Sequence, residues 1–244
     1  MDRFEMGRFS MTPQSAFTTT TVAGAERVTA FLRKVYGWMC VGLAITAGVA
    51  LAVTSAPGLQ RAVLGNPFLF FGLIIAELGM VFVLAARVTR LKPTTAAGLF
   101  LAYSVLNGVT LSMILLAYSG ISIATTFVVT AGMFGALALF GSTTKRSLAG
   151  VGQFAFMGLI GLMLAMLVGF FWHSSALQFV ISVVGVIVFT GLTAWDAQRL
   201  KQMAAALPEG SVGSYAVVGA LSLYLDFINL FLFLLRFLGG GRRD

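Results

Sequence analysis

The chain has 244 residues, of which 59% are hydrophobic and only 10% charged, whereas a soluble globular domain carries about 25% charged residues. That much apolar surface cannot be hidden inside one globule of this size, so lipid must be the solvent and the chain an integral membrane protein. The formal charge of +8 invites a nucleic-acid partner, but the basic residues are spread over alternate loops, which makes them a topology signal with no nucleic acid implied.

Residues 1–30 include the polar stretch SMTPQSAFTTTT and read as a disordered tail. A membrane domain over 31–240 follows, then a short C-terminal tail at 241–244. Apolar runs of about twenty residues, each long enough to cross a bilayer, predict seven spans at 35–54, 68–86, 95–118, 121–141, 151–171, 177–197 and 214–238. They are continuously apolar, not alternating, so they are helices and not barrel strands. The fold class expected is an all-α membrane protein, a seven-transmembrane-helix bundle.

Pro57-Gly58 closes the first span, Asn66-Pro67 opens the second, and Pro93 precedes the third. Spans three and four are joined by Ser119 and Gly120 alone, which predicts a tight antiparallel pair. Pro208-Glu209-Gly210 separates the last two spans, and the strong helix formers of AQRLKQMAAAL extend the sixth helix toward that break. Cys40, the sole cysteine, reads as a small buried apolar residue. Gly132, Gly135, Gly158 and Gly161 read as close helix-packing points. A single histidine, His173, supports neither a histidine zinc or haem site nor a Ser-His-Asp triad. No enzyme and no resident cofactor is expected.

Twelve basic residues, Arg3, Arg8, Arg27, Arg33, Lys34, Arg87, Arg90, Lys92, Lys145, Arg146, Arg199 and Lys201, fall in the tail and alternate loops. The other loops hold only Arg61 before Arg236, Arg242 and Arg243. The positive-inside rule puts the N-terminus in the cytoplasm, and seven crossings put the C-terminus outside. The three C-terminal arginines leave open a re-entrant last segment with both termini cytoplasmic.

Three of the eight acids lie in apolar spans: Glu77, Asp196 and Asp226. Each costs at least about 2.5–3.5 kcal/mol at the bilayer centre, so such residues face a protein interior and mark a pathway or relay, or else lock two helices together. Ser222, Asp226 and Asn229, spaced by four and three, form one polar stripe on the last helix. A helix apolar on its other sides suits the centre of the bundle. Two carboxylates held together in low dielectric cannot both ionise freely, which makes Asp196 and Asp226 a candidate proton latch with an arginine nearby. Oxygen ligands suit a hard cation such as Ca²⁺, and so few of them suit transient coordination during permeation better than storage.

The segment ALSLYLDFINLFLFLLRFLGG (220–240) resembles the last-helix signature of the transmembrane Bax-inhibitor-motif family, in what looks like a bacterial member. GLTAWDAQRLKQ (191–202) is similar to the family's Tyr-Asp-Thr-Gln-like element, with Trp195 for the tyrosine and Ala197 for the threonine. KVYGWMCVGLAIT (34–46) is similar to its first-helix entry. The resemblance covers about residues 30–240. It implies a seven-helix bundle with the last helix central, acting as a pH-sensitive calcium leak of the inner membrane. Asp196 and Asp226 would be the pH sensor and transient calcium ligands, with Arg87, or less securely Arg90, as the latch. Glu77, Ser222 and Asn229 would line the ion pathway. The partners implied are the lipid bilayer, calcium and protons.

Bacterial relatives are also associated with restraining a membrane-embedded ATP-dependent protease, an interaction role for which the polar tail would be the handle. A third reading, an intramembrane aspartyl protease, fails at Leu223-Tyr224-Leu225. Those enzymes place glycines immediately before the second aspartate so that substrate backbone can approach.

Overall fold

The computed structural model describes residues 13–87, 90–172, 174–207 and 212–239, with backbone alone for 13–23 and 63–64. Eight helices occupy them: α1 (Pro13–Ser55), α2 (Pro57–Leu64), α3 (Pro67–Ala86), α4 (Pro93–Leu116), α5 (Gly120–Thr143), α6 (Ala149–Phe171), α7 (Ser175–Ala206) and α8 (Val212–Leu238). All except the short connector α2 are long and apolar enough to cross a membrane. Pro57, Pro67 and Pro93 each stand in a first turn, where a missing N–H leaves no bond unmade. Asn66, Ser119 and Ser174 cap α3, α5 and α7 by accepting from free amides of the first turn.

Several boundaries depart from the sequence reading. The backbone of α1 is helical from Pro13, whereas the sequence reading began the first span at 35. The sixth span runs on as α7 to Ala206, as its helix formers foretold. The breaks at Pro208-Glu209-Gly210, His173 and the tail at 241–244 lie outside the described residues.

The last helix is central. In its apolar window 72% of the residues are buried inside the protein, against 6% in α3. α8 packs on α1, α4, α5 and α7 and grazes α3. Leu223, Tyr224, Leu230 and Leu235 on its successive faces are fully buried. This arrangement overturns the expected pairing of α4 with α5. α4 packs chiefly on α1 and α3, whereas α5 packs on α7 and α8. A short loop fixes only where two helices join, and here the chain splays so that both reach the central helix.

Lipid tails are as apolar as leucine, so close packing and interhelical hydrogen bonds hold such a bundle. The contact points are glycines, but not all of those expected. Gly158 does approach Val188, while Gly132, Gly135 and Gly161 have nothing within 4 Å of a Cβ position. Close approaches include Gly42 on Phe100, Gly108 on the Thr46 carbonyl, Gly141 on the Ala194 carbonyl, Gly152 under the Trp195 ring, Gly185 under Phe233 and Gly219 on Leu200. Cys40 is exposed, contrary to expectation. The buried face of α1 is the stripe Phe31, Val35, Met39, Thr46, Ala50 and Val53, and Cys40 lies one residue off it.

At Gly141 a methyl group would collide with backbone of α7, which cannot rotate away. Gly141→Ala is expected to destabilise the protein by about 1–3 kcal/mol, the usual range for overpacking. Gly135→Ala, which meets open space, should be near neutral. Thermal unfolding of both variants in detergent checks this, and equal midpoints would refute the α5–α7 contact.

Candidate functional site: an acid-lined cavity beside the central helix

The antiparallel pair α7–α8 carries both aspartates, and its register follows from its closest contacts. Gly185 meets Phe233 and Leu200 meets Gly219, a pairing that sets Asp196 level with Ser222, one turn from Asp226. Asp226 is 5% exposed, and its Oδ2 is a buried oxygen with no hydrogen-bond partner. Buried polar atoms are nearly always paired, so an orphan carboxylate oxygen on a membrane helix marks a position kept for something else.

The two aspartates open on one cavity of about 670 Å³ lined by α3, α6, α7 and α8. The whole stripe faces it: Ser222, Asp226 and Asn229 from α8 are joined by Trp195 and Asp196 from α7. The Asn229 amide nitrogen donates to the Leu225 carbonyl over 2.8 Å, which leaves the amide oxygen for the cavity. Apart from two arginines the remaining wall is apolar, including Leu159, Leu162 and Met163 of α6.

The arginines that line this space are Arg199 and Arg236. Arg199 lies one turn beyond Asp196 on α7 and stacks 5.3 Å from the Trp195 ring centroid, within cation–π range. Arg87 and Arg90 are exposed at the end of α3, away from the cavity lining, so the structure does not bring either expected latch to the acid pair. The i, i+3 spacing of Asp196 and Arg199 was the sequence signal for the cation that is present.

Glu77 is also placed apart from the cavity, which α3 lines through its neighbour Leu78. Its carboxylate accepts from Thr110 Oγ1 at 2.9 Å and Asn107 Nδ2 at 3.3 Å on α4. Asn107 Oδ1 in turn accepts from the Tyr224 hydroxyl at 3.0 Å. That hydroxyl lies 2.6 Å from Thr46 Oγ1, which donates to the Ser104 carbonyl. One continuous chain of hydrogen bonds therefore ties α3, α4 and α1 to α8 on the side turned away from the acids. Sequence reading treated Tyr224 as part of an apolar run, because nothing in its spacing reveals a hydroxyl partner on another helix.

A second anchor lies next to the pair. Gln198, 6% exposed, accepts from the Leu148 amide and donates to the Arg146 carbonyl, both at 2.8 Å. It fastens the α5–α6 loop to α7 two residues from Asp196.

The family model described as inhibitor of apoptosis-promoting Bax1 matches residues 28–243. The chain belongs to the Bax inhibitor family. It is 45% identical to the inner membrane protein YbhL of Escherichia coli (strain K12) over 245 residues, covering 99% of this chain and 100% of that protein. An uncharacterized protein of Borreliella burgdorferi is 43% identical over 88% of this chain and 93% of its own length. One of Deinococcus radiodurans is 43% identical over 90% and 93%.

In this family member, Tyr224→Phe would remove the hydroxyl shared by Thr46 and Asn107 while keeping the ring contacts with Phe100 and Tyr103. A loss of about 1–2 kcal/mol is expected, the scale of polar links between membrane helices. An unchanged unfolding midpoint would show that the chain of bonds carries no stability.

Proposed function

We propose that the protein is a calcium leak of a bacterial inner membrane, gated by protons at Asp196 and Asp226. The observation that carries this reading is the orphan Oδ2 of Asp226, buried at mid-helix on a cavity shared with Asp196. An acid that only locked two helices would have its oxygens paired. The inner-membrane location is supported by the seven apolar helices and by the printed name of the Escherichia coli relative.

The chemistry follows from low dielectric. With both carboxylates ionised, repulsion across the cavity is strong, and one shared proton removes it. Arg199, one turn from Asp196 and lining the same cavity, takes the place expected for Arg87 or Arg90. Carboxylates with the oxygens of Ser222 and Asn229 suit a hard cation. Among the described residues no three His, Cys, Asp or Glu side chains converge into a metal-holding group. A calcium ion here would keep much of its water and pass through. Glu77 drops out of the pathway and becomes part of the tether between α3 and α8.

Calcium flux into proteoliposomes across a pH series tests the leak. Wild type should conduct with a pH-dependent rate, and Asp196→Asn and Asp226→Asn should each flatten that dependence. Absence of flux in the wild type would sink the leak, and an unaltered pH profile in both variants would sink the sensor. The rival role, restraint of a membrane protease, makes a different prediction: deletion of residues 1–25 should abolish that regulation, whereas a leak should survive it.

A further inference from the structure

Arg236 stands in the last turn of α8, at the membrane face where α6 ends and α7 begins. Its side chain is exposed, and among the described residues its guanidinium makes one long 3.4 Å contact, to Gln178 Oε1. It borders two adjoining spaces. One is a cleft of about 260 Å³ formed with Gln178, Gly169 and Phe170, and the other is the acid-lined cavity of about 670 Å³. Met166 belongs to both.

The larger cavity reaches the lipid-facing surface. Leu78 on α3 and Phe156 and Met163 on α6 line it, yet each is more than half exposed. α3 rests on α4, and α6 rests on α7, so a lateral opening lies between α3 and α6. An apolar opening in a bilayer has only one abundant material to fill it: the void itself forfeits dispersion contacts, and its apolar rim offers water no partners.

We propose that this opening is a phospholipid site, with the phosphate held by Arg236 and one acyl chain lying between α3 and α6 against the cavity. The lengths agree. Ten residues separate Asp226 from Arg236, which is about 15 Å of helix, half of a hydrocarbon core about 30 Å thick. A chain anchored at Arg236 therefore ends near Asn229 and Asp226. The guanidinium fork matches two phosphate oxygens, and Arg236 has no carboxylate partner among its hydrogen bonds in the described residues. Resting on the leak reading, a second consequence is that lipid occupancy controls access to the acids, because the chain stands beside them.

Native mass spectrometry of the full-length protein titrated with phosphatidylglycerol tests the site without any flux measurement. Wild type should take up one phosphatidylglycerol in a distinct first step. Arg236→Gln should weaken that step about tenfold, the size expected for one charge-assisted hydrogen bond. Leu159→Phe, which fills the chain's place, should weaken it while leaving Arg236 intact. Arg61→Gln removes an exposed cation from the same membrane face and should have no effect. Equal weakening by Arg61→Gln, or none by Arg236→Gln and Leu159→Phe, would overturn the site. Competition by glycerol phosphate as strong as by the lipid would also overturn it, showing a free-phosphate site. Lipid binding that persists in a protein without calcium flux would leave this site standing and remove only the leak.

Discussion

A carboxylate in the middle of an apolar helix cannot face lipid, and the rest of the bundle is arranged around that constraint. Asp226 has to be enclosed by protein, so α8 is surrounded, with α1, α4, α5 and α7 packed on it and α3 grazing it. α8, which carries Asp226, is the most buried, and α3, whose own acid Glu77 is met by Asn107 and Thr110 of α4, is the least. α6 sits outside α7, and the space left between α3 and α6 is where the cavity meets lipid.

Enclosure alone does not make a stable bundle, because lipid competes with every apolar contact. Two devices supply the difference. Glycines let α7 approach its neighbours until backbone or rings touch, at Gly141, Gly152 and Gly185. On the opposite side of α8, the bonds from Glu77 through Asn107 and Tyr224 to Thr46 hold α3, α4 and α1 in place. The central helix thus has a fastened side, whose polar atoms are paired, and an unfastened side, where Asp226 is not. Function is proposed on the unfastened side because, among the described residues, the buried side-chain oxygen left unpaired lies there.

Much of the candidate site was legible beforehand. Asp196, Ser222, Asp226 and Asn229 share one cavity, as their spacing and the family resemblance implied. The arginines were not legible in the same way. Arg87 and Arg90 follow a span end and are exposed, while Arg199 and Arg236 had been read as loop and tail charges. Their place at the cavity depends on how far α7 and α8 continue past their apolar cores, and helix formers outside the hydrophobic window determine that. The tight α4–α5 pair failed for a related reason: loop length limits separation at one end and leaves the choice of packing partner to the faces of both helices.

Composition and apolar run length determined by themselves that this is a helical membrane protein with seven spans, because transfer into lipid is a property of each segment alone. The isolated acids likewise announced their own importance, since a charge at that depth is costly wherever the neighbours lie. Tertiary structure alone decided which acids share a cavity. It set Asp196, Asp226, Arg199 and Arg236 on one cavity and gave Glu77 to Asn107 and Thr110. Those assignments rest on the rotation and register of one helix against another, and the glycine and ring contacts that set the register join residues dozens of positions apart.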